Sequence, residues 1–384
     1  MILKEVGMPK VSVVVPVYNV EQYLEECLDS LTGQTLRDME FVCVNDGSTD
    51  ASPEILRRYA AEDSRVKILD GPNGGYGKAM NRGLDVCTGE YVGIVEPDDY
   101  VKPDMYETLY RIAKEKDLEI IKSDFCRFVT GKDGKRVFQY EKLTPVASMY
   151  RRILTPEEEP EIFKAVMNTW CGLYKRSFLE ENHIRHHETP GASFQDNGFW
   201  FQGFCYVKRL YFLDRPYYMN RRDNPNSSVH NREKVFCMNE EYLWIRDFLH
   251  AHPEFERRFL AIYNFRRYHN YVASFYRVGE EYKEMYLERF QREFLEAEQN
   301  GELEASVFTP EEWELVKILL KDRHAYVYEE RIHRIRFEKD LEIADLKREL
   351  ENVEQSTSYK VGKAVMFLPC AVKESILRLK RKHE

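Results

Sequence analysis

The chain has 384 residues, 43% of them hydrophobic and 32% charged, enough for two or three domains at about 150 residues each. Its 57 Lys and Arg against 66 Asp and Glu leave a formal charge of −9, which excludes a nucleic-acid or polyphosphate binder held by bulk positive charge. The eight cysteines include no C-x-x-C pair, and most sit in apolar runs such as Phe41-Val42-Cys43-Val44. They read as reduced thiols of a cytoplasmic protein, not as a disulfide or zinc framework. The first residues lack the features of a signal peptide, and no apolar run approaches the ~18 residues of a membrane span.

From Val11 to about Asp124, short β-branched runs alternate with helical stretches, the order of a parallel sheet with crossover helices. Val11 to Val15 reads as a buried strand, and Leu24, Cys27, Leu28 and Leu31 fall at i, i+3, i+4, i+7 on one helix face. Phe41 to Val44 and Val66 to Leu69 read as further strands, with a helix opened by Ser52-Pro53 between them. Gly74 to Cys87 reads as a helix with a glycine-rich entry, and Tyr91 to Val95 as a strand running into Glu96, Asp98 and Asp99. In open parallel sheets ligands bind beyond the carboxyl ends of the strands. Polar clusters follow three of these strands, at Tyr18-Asn19, Asn45-Asp46-Gly47-Ser48 and Glu96-Pro97-Asp98-Asp99, and are expected to meet in one crevice.

Residues 125–232 are mixed and aromatic-rich, with turn-like stretches at 131–134 and 223–226, and read as a continuation of the same domain holding the second substrate. Residues 233–325 read as a separate helical region. Residues 326–355 read as a long helix in which Ile343, Leu346, Leu350 and Val353 keep a coiled-coil spacing for about two heptads before Arg336 and Lys339 break it. Residues 356–384 carry seven Lys or Arg against two Glu. That segment reads either as a basic amphipathic tail for an anionic surface or as a solvated end.

The loop Gly71-Pro72-Asn73-Gly74-Gly75-Tyr76-Gly77-Lys78-Ala79 fails two phosphate-loop templates. Five residues separate Gly71 from Gly77 where a Walker loop has four, and Met80 stands where the dinucleotide fingerprint needs glycine. It reads either as a tight turn or as a donor of backbone N–H groups and Lys78 to a ligand. Glu96-x-Asp98-Asp99 crowds like charges at a strand end, which a hard divalent ion, Mg²⁺ or Mn²⁺, would relieve; the alternative is a helix cap by Asp99. Asp46 reads either as a turn residue or as an acceptor from a base edge. His183, His186 and His187 lack a second carboxylate or thiol at ligand spacing and do not read as a metal site.

Pro16-Val17-Tyr18-Asn19, Val44-Asn45-Asp46-Gly47-Ser48-Thr49-Asp50, Asn73-Gly74-Gly75, Asn81-x-Gly83-Leu84, Gly89-Glu90-Tyr91 and Glu96-Pro97-Asp98-Asp99 together resemble, in residues, order and spacing, the family 2 glycosyltransferases. The resemblance covers residues 10 to 230. It implies an α/β GT-A fold over residues 1–232, with a nucleotide-binding half at 10–124 and an acceptor half at 125–232, and inverting sugar transfer from a nucleotide-diphosphate donor, most often a UDP-sugar. By the same resemblance Pro16, Tyr18, Asn19 and Asp46 border the nucleoside, and Gly75, Lys78 and Asn81 belong to the donor site. Glu96 and Asp99 flank the ribose and metal element, Asp98 meets the metal with His230 as a further ligand, Trp170 lies at the acceptor site, and Asp196 is the catalytic base. Glu96 replaces an aspartate, Gln195 a glutamate and Met80 an arginine of that pattern, so Lys78 or Arg82 is expected to supply the missing cation. The expected partners are a nucleotide-sugar donor, a glycan or lipid-linked acceptor, a peripheral contact with the inner face of the membrane through 356–384, and a further copy of the chain as a homo-oligomer. A nucleotidyltransferase and an inactive donor-binding scaffold are the alternatives.

Overall fold

The computed structural model describes residues 8–192, 194–227, 231–361 and 363. Its first third alternates strand and helix: β1 (Val11–Val17), α1 (Glu21–Thr32), β2 (Met39–Asp46), α2 (Ser52–Glu62), β3 (Val66–Gly71), α3 (Tyr76–Val86) and β4 (Tyr91–Ile94). β1 runs parallel to both β2 and β4, and β2 parallel to β3. Every residue of β1 and β2 is buried, as parallel strands covered on both faces require. α1 buries Leu24, Cys27, Leu28 and Leu31, the face its spacing predicts. Ser52 opens α2, but its hydroxyl accepts from the Val20 N–H at 3.1 Å instead of capping its own helix.

The chain continues through β5 (Tyr100–Val101), α4 (Met105–Glu115), β6 (Ile120–Thr130), β7 (Arg136–Glu141), β8 (Ile153–Leu154), β9 (Gly172–Lys175), α5 (Arg176–Glu181), α6 (Asp196–Tyr206) and β10 (Leu210–Arg221). Among the described residues the strands form one ten-stranded sheet in the order β3-β2-β1-β4-β9-β6-β10-β5, with β7 on β6 and β8 on β10. β9 is antiparallel to both neighbours and joins the parallel quartet to the parallel pair of β6 and β10. β1, between β2 and β4, is the point where the winding reverses, so a crevice opens beyond its carboxyl end. The sheet with helices on its faces is the α/β architecture the sequence predicts.

α7 (Cys237–Ala251), α8 (Pro253–Arg277) and α9 (Lys283–Gln299) follow, and they belong to the same compact unit as the sheet, which ends at Val307. The helical region expected to stand apart at 233–325 is therefore divided. Its last helix, α10 (Pro310–Lys321), falls in a second unit with α11 (Arg323–Gln355). Asp322 opens α11, its carboxylate accepting from the N–H groups of His324 and Ala325, so the long helix predicted at 326–355 begins three residues earlier. Most of the basic tail lies outside the described residues. Among the described residues no helix is long and apolar enough to cross a membrane. The seven described cysteines are free thiols, five of them buried.

Candidate active site

The ends of β1, β2 and β4 and the segment after β10 line one cleft of about 820 Å³, within the size range of small-ligand sites. Pro16, Tyr18, Asn19, Asp46, Glu96, Asp98, Asp99, Trp170 and Asp196 all line it. The polar clusters that follow three separate strands thus converge, as predicted.

Asp46 is buried and holds the glycine-rich loop, its two carboxylate oxygens accepting from the N–H groups of Gly74 at 2.9 Å and Gly75 at 3.0 Å. Asn45 closes the turn that contains Asp46, accepting from Ser48 N–H and donating to Asp70. The turn requires Gly47: φ is +74°, and a Cβ there would stand 2.7 Å from the Asn73 nitrogen. Asn19 ties the first cluster to the second, accepting from Thr49 N–H at 2.8 Å.

The carboxylates at the end of β4 differ in their surroundings. Glu96 accepts from the Tyr76 hydroxyl at 2.8 Å, and its own N–H donates to the Tyr218 hydroxyl. Burial, with Asp98, Asp99 and Asp196 nearby, pushes it up to about 8. Asp99 is locked by β10, accepting from Arg221 N–H at 2.6 Å and Asn220 Nδ2 at 3.0 Å, and burial with Asp98 next to it pushes it up to about 8 as well. Asp98 accepts from Asn224 Nδ2 at 2.8 Å.

Asp196 is the first residue of α6, a helix with Phe199, Trp200, Phe201 and Phe204 all buried. It is partly exposed, and burial followed by the Glu241 charge raises it to about 7, while Lys122 acts in the opposite sense. Glu241, from α7, accepts from Gly198 N–H at 2.9 Å and meets His187 Nδ1 at 3.0 Å, supplying an acceptor to the amino end of α6. Gln195 donates to Thr189 and to the Gly191 carbonyl, and Gly191 in turn accepts from Tyr76 N–H. Trp170 stacks on Tyr218 at 4.5 Å and meets Phe125 edge-on. Its loop is pinned by the buried Lys122, which donates to the carbonyls of Asn168 and Trp170 and which burial lowers to about 8.

Two of the predicted donor-site residues fall elsewhere. Lys78 is exposed beside Gly74 and does not line the cleft. Asn81 is buried, donating to the His186 carbonyl and Glu188 and accepting from His186 N–H. It fastens α3 to the segment before α6. Arg82, the other expected cation, donates to the Asp70 carbonyl. The cations that do line the cleft are Arg127, Arg221, Arg222 and Lys234. Arg221 donates to Glu26 and to the Asp98 carbonyl, whereas Arg222, exposed, has no ion-pair partner among the described residues. Burial and Arg127 hold the Arg222 guanidinium below its usual range. His186 is buried against Phe199 and Tyr76, with its ring held neutral well below the usual histidine range, at about 3.

His230 lies outside the described residues. Among the described residues no group of three or more His, Cys, Asp or Glu comes together to hold a metal ion. The donor set still suits Mg²⁺ or Mn²⁺, which keeps one or two protein carboxylates and takes other ligands from diphosphate and water. Asp98 is available in the cleft, and its crowded neighbours Glu96 and Asp99 are carboxylates that a nearby cation would favour in ionised form.

A consequence for stability follows from these raised carboxyls. Between the unfolded value near 4 and about 8, the folded chain binds more protons at Glu96 and Asp99 than the unfolded one, so their contribution to stability falls as pH rises through that window. Thermal melts between pH 5 and 8.5 are expected to show Glu96→Gln losing stability less steeply than the parent chain. Equal slopes would contradict the raised Glu96.

An open α/β sheet whose strand ends present a carboxylate-rich cleft is the architecture of a GT-A glycosyltransferase fold. Residues 12–182 match the family model "Glycosyl transferase family 2". Among curated relatives, GlyG of Streptococcus pneumoniae is 34% identical over 223 residues, 55% of this chain and 70% of that protein. EpsJ of Bacillus subtilis, named as an uncharacterized glycosyltransferase, is 35% identical over 226 residues, 57% of this chain and 63% of that protein. The chain thus matches less than two thirds of EpsJ's own length, and only 25% of GlyA of S. pneumoniae. Among solved structures, TarS of S. aureus, residues 1–349, in complex with UDP-GlcNAc superposes with a TM-score of 0.64 at 21% identity, over 85% of this chain and 91% of that one. The chain belongs to glycosyl transferase family 2.

Proposed function

We propose that this glycosyltransferase moves a sugar from a UDP-linked donor to a hydroxyl of a glycan or lipid-linked acceptor, with inversion at the anomeric carbon. One observation carries the reading: a single cleft brings Asp46 and Tyr18, Asp98, and the partly exposed Asp196 together. The UDP-GlcNAc complex of TarS supports a UDP-sugar donor on the shared fold.

In this reading the uracil and ribose lie along Pro16, Tyr18, Asn19 and Asp46, with Gly75 beneath them and Glu96 and Asp99 shaping the floor. Asp98 would hold the metal, and His230, outside the described residues, is the further ligand the family resemblance offers. A bound Mg²⁺ or Mn²⁺ would supply positive charge to the departing diphosphate, and Arg222, which lines the cleft, would add a guanidinium. Trp170 packs against the transferred sugar and acceptor. Asp196 takes the proton of the acceptor hydroxyl as its oxygen bonds to the anomeric carbon. The bond from that carbon to the diphosphate oxygen breaks, UDP leaves, and displacement from the opposite face inverts the configuration. The basic segment 356–384 would bring the enzyme to an anionic membrane that carries the acceptor.

The test is a thermal-shift and turnover panel on the purified chain with UDP-, GDP-, CMP- and dTDP-sugars, with and without Mn²⁺. Stabilisation by about 2.7 kcal/mol is expected at a hundredfold excess over Kd for one UDP-sugar, dependent on Mn²⁺, with slow release of UDP. Preference for another nucleotide, or release of pyrophosphate instead of UDP, would overturn the reading.

A further inference from the structure

α11 carries an apolar stripe that stays exposed among the described residues. Tyr328, Ile335, Ile343, Leu346, Leu350 and Val353 leave 47 to 66% of their surface exposed. Among the described residues of the helix only Tyr326 and Glu330 are buried, and at about 100° per residue they lie on the face opposite the stripe. The first turns of the helix are therefore held from one side, and from Arg334 to Gln355 every described side chain is exposed.

The heptad spacing that fails at Arg336 and Lys339 is restored by one four-residue insertion. Tyr328, Ile332, Ile335, Lys339, Ile343, Leu346, Leu350 and Val353 follow one another at steps of 4, 3, 4, 4, 3, 4 and 3, the pattern of a stutter. On an undistorted helix these positions stay within about 40° of one line. From Tyr328 to Leu350 the stripe is also symmetric about Lys339: Ile335 and Ile343, Ile332 and Leu346, and Tyr328 and Leu350 stand at equal distances on either side. A two-fold axis through Lys339 superposes this stripe on itself in an antiparallel pair, the self-complementarity that a closed dimer interface requires.

Charge selects the same orientation. Before Lys339 the helix has four Arg against three Glu, and after it one Lys and one Arg against six Asp and Glu. Antiparallel pairing lays the mildly positive half on the strongly negative one. Parallel pairing stacks the two negative halves and sets Arg331 against Arg336 across the seam, which disfavours it.

We infer that α11 is a dimerisation helix that pairs antiparallel with α11 of a second copy of this chain through the Tyr328 to Leu350 stripe. The full chain is expected to sediment between 1 and 100 µM at twice its 45.8 kDa. The double variant Leu346→Asp/Leu350→Asp is expected to halve that mass with unchanged helical circular dichroism, and Phe337→Asp, on the opposite face, to leave it dimeric. In a Cys370→Ser background, Ile335→Cys mixed with Ile343→Cys is expected to give a disulfide between the two variants, and neither alone a disulfide with itself. A monomer at 100 µM, a dimer indifferent to the aspartates, or self-linkage of Ile335→Cys would overturn the proposal. So would a monomer that binds phosphatidylglycerol vesicles through this stripe.

Discussion

Replacing Asp196 by asparagine is expected to lower turnover by about 10² to 10⁴, the usual worth of a positioned general base, with donor KM and Mn²⁺-dependent UDP binding unchanged. The variant should melt no lower than the parent, since the carboxyl it removes is one that burial and Glu241 have raised to about 7. Because only the ionised form accepts a proton, the parent's rate should climb with pH through about 7 and then level. Glu241→Gln should move that inflection to lower pH, as it removes a like charge facing the base. Transfer within tenfold of the parent in Asp196→Asn would dismiss Asp196 as the base.

Gly75→Ala is expected to have the largest effect on the fold of the donor side. Gly75 sits at φ +88° and ψ 163°, a region that only glycine occupies readily. A Cβ there would stand 2.5 Å from the Thr189 carbonyl oxygen and 2.7 Å from the Gly191 nitrogen. Strain of about 1 to 3 kcal/mol from the backbone adds to displacement of the segment that Gln195 and Tyr76 hold in place. A loss of about 3 kcal/mol or more would lower the melting temperature by roughly 6 to 12 °C in a unit of this kind, and UDP should no longer stabilise the protein. A melt within about 2 °C of the parent would show that the loop relaxes around the methyl group.

The sheet was legible because its signals are local: Val11 to Val15 cannot face water on either side, and the face of α1 is written in four residues. The strand-end clusters were legible for the same reason, since topology dictates that such ends meet. Lys78 and Asn81 were misplaced because a motif gives neighbourhood and not helical phase. Lys78, Arg82 and Asp85 recur at i, i+4, i+7 and mark the outer stripe of α3, a signal that would have placed Lys78 outside the cleft. Lys122 carried a weaker signal, a charge inside the apolar run Ile120-Ile121-Lys122. Glu241 carried none, because its meaning depends on α7 packing against α6, 45 positions after Asp196.

That packing changes what can be cut away or exchanged. A fragment ending just before α7 would keep the cleft and every motif of the first half, yet it would leave Gly198 N–H without its acceptor and return the side chain of Asp196 toward an ordinary acidity. The smallest portable piece of this enzyme therefore extends into the helices after the sheet. A transplant of α7 from a relative would retune the acidity of Asp196 along with whatever else it changed.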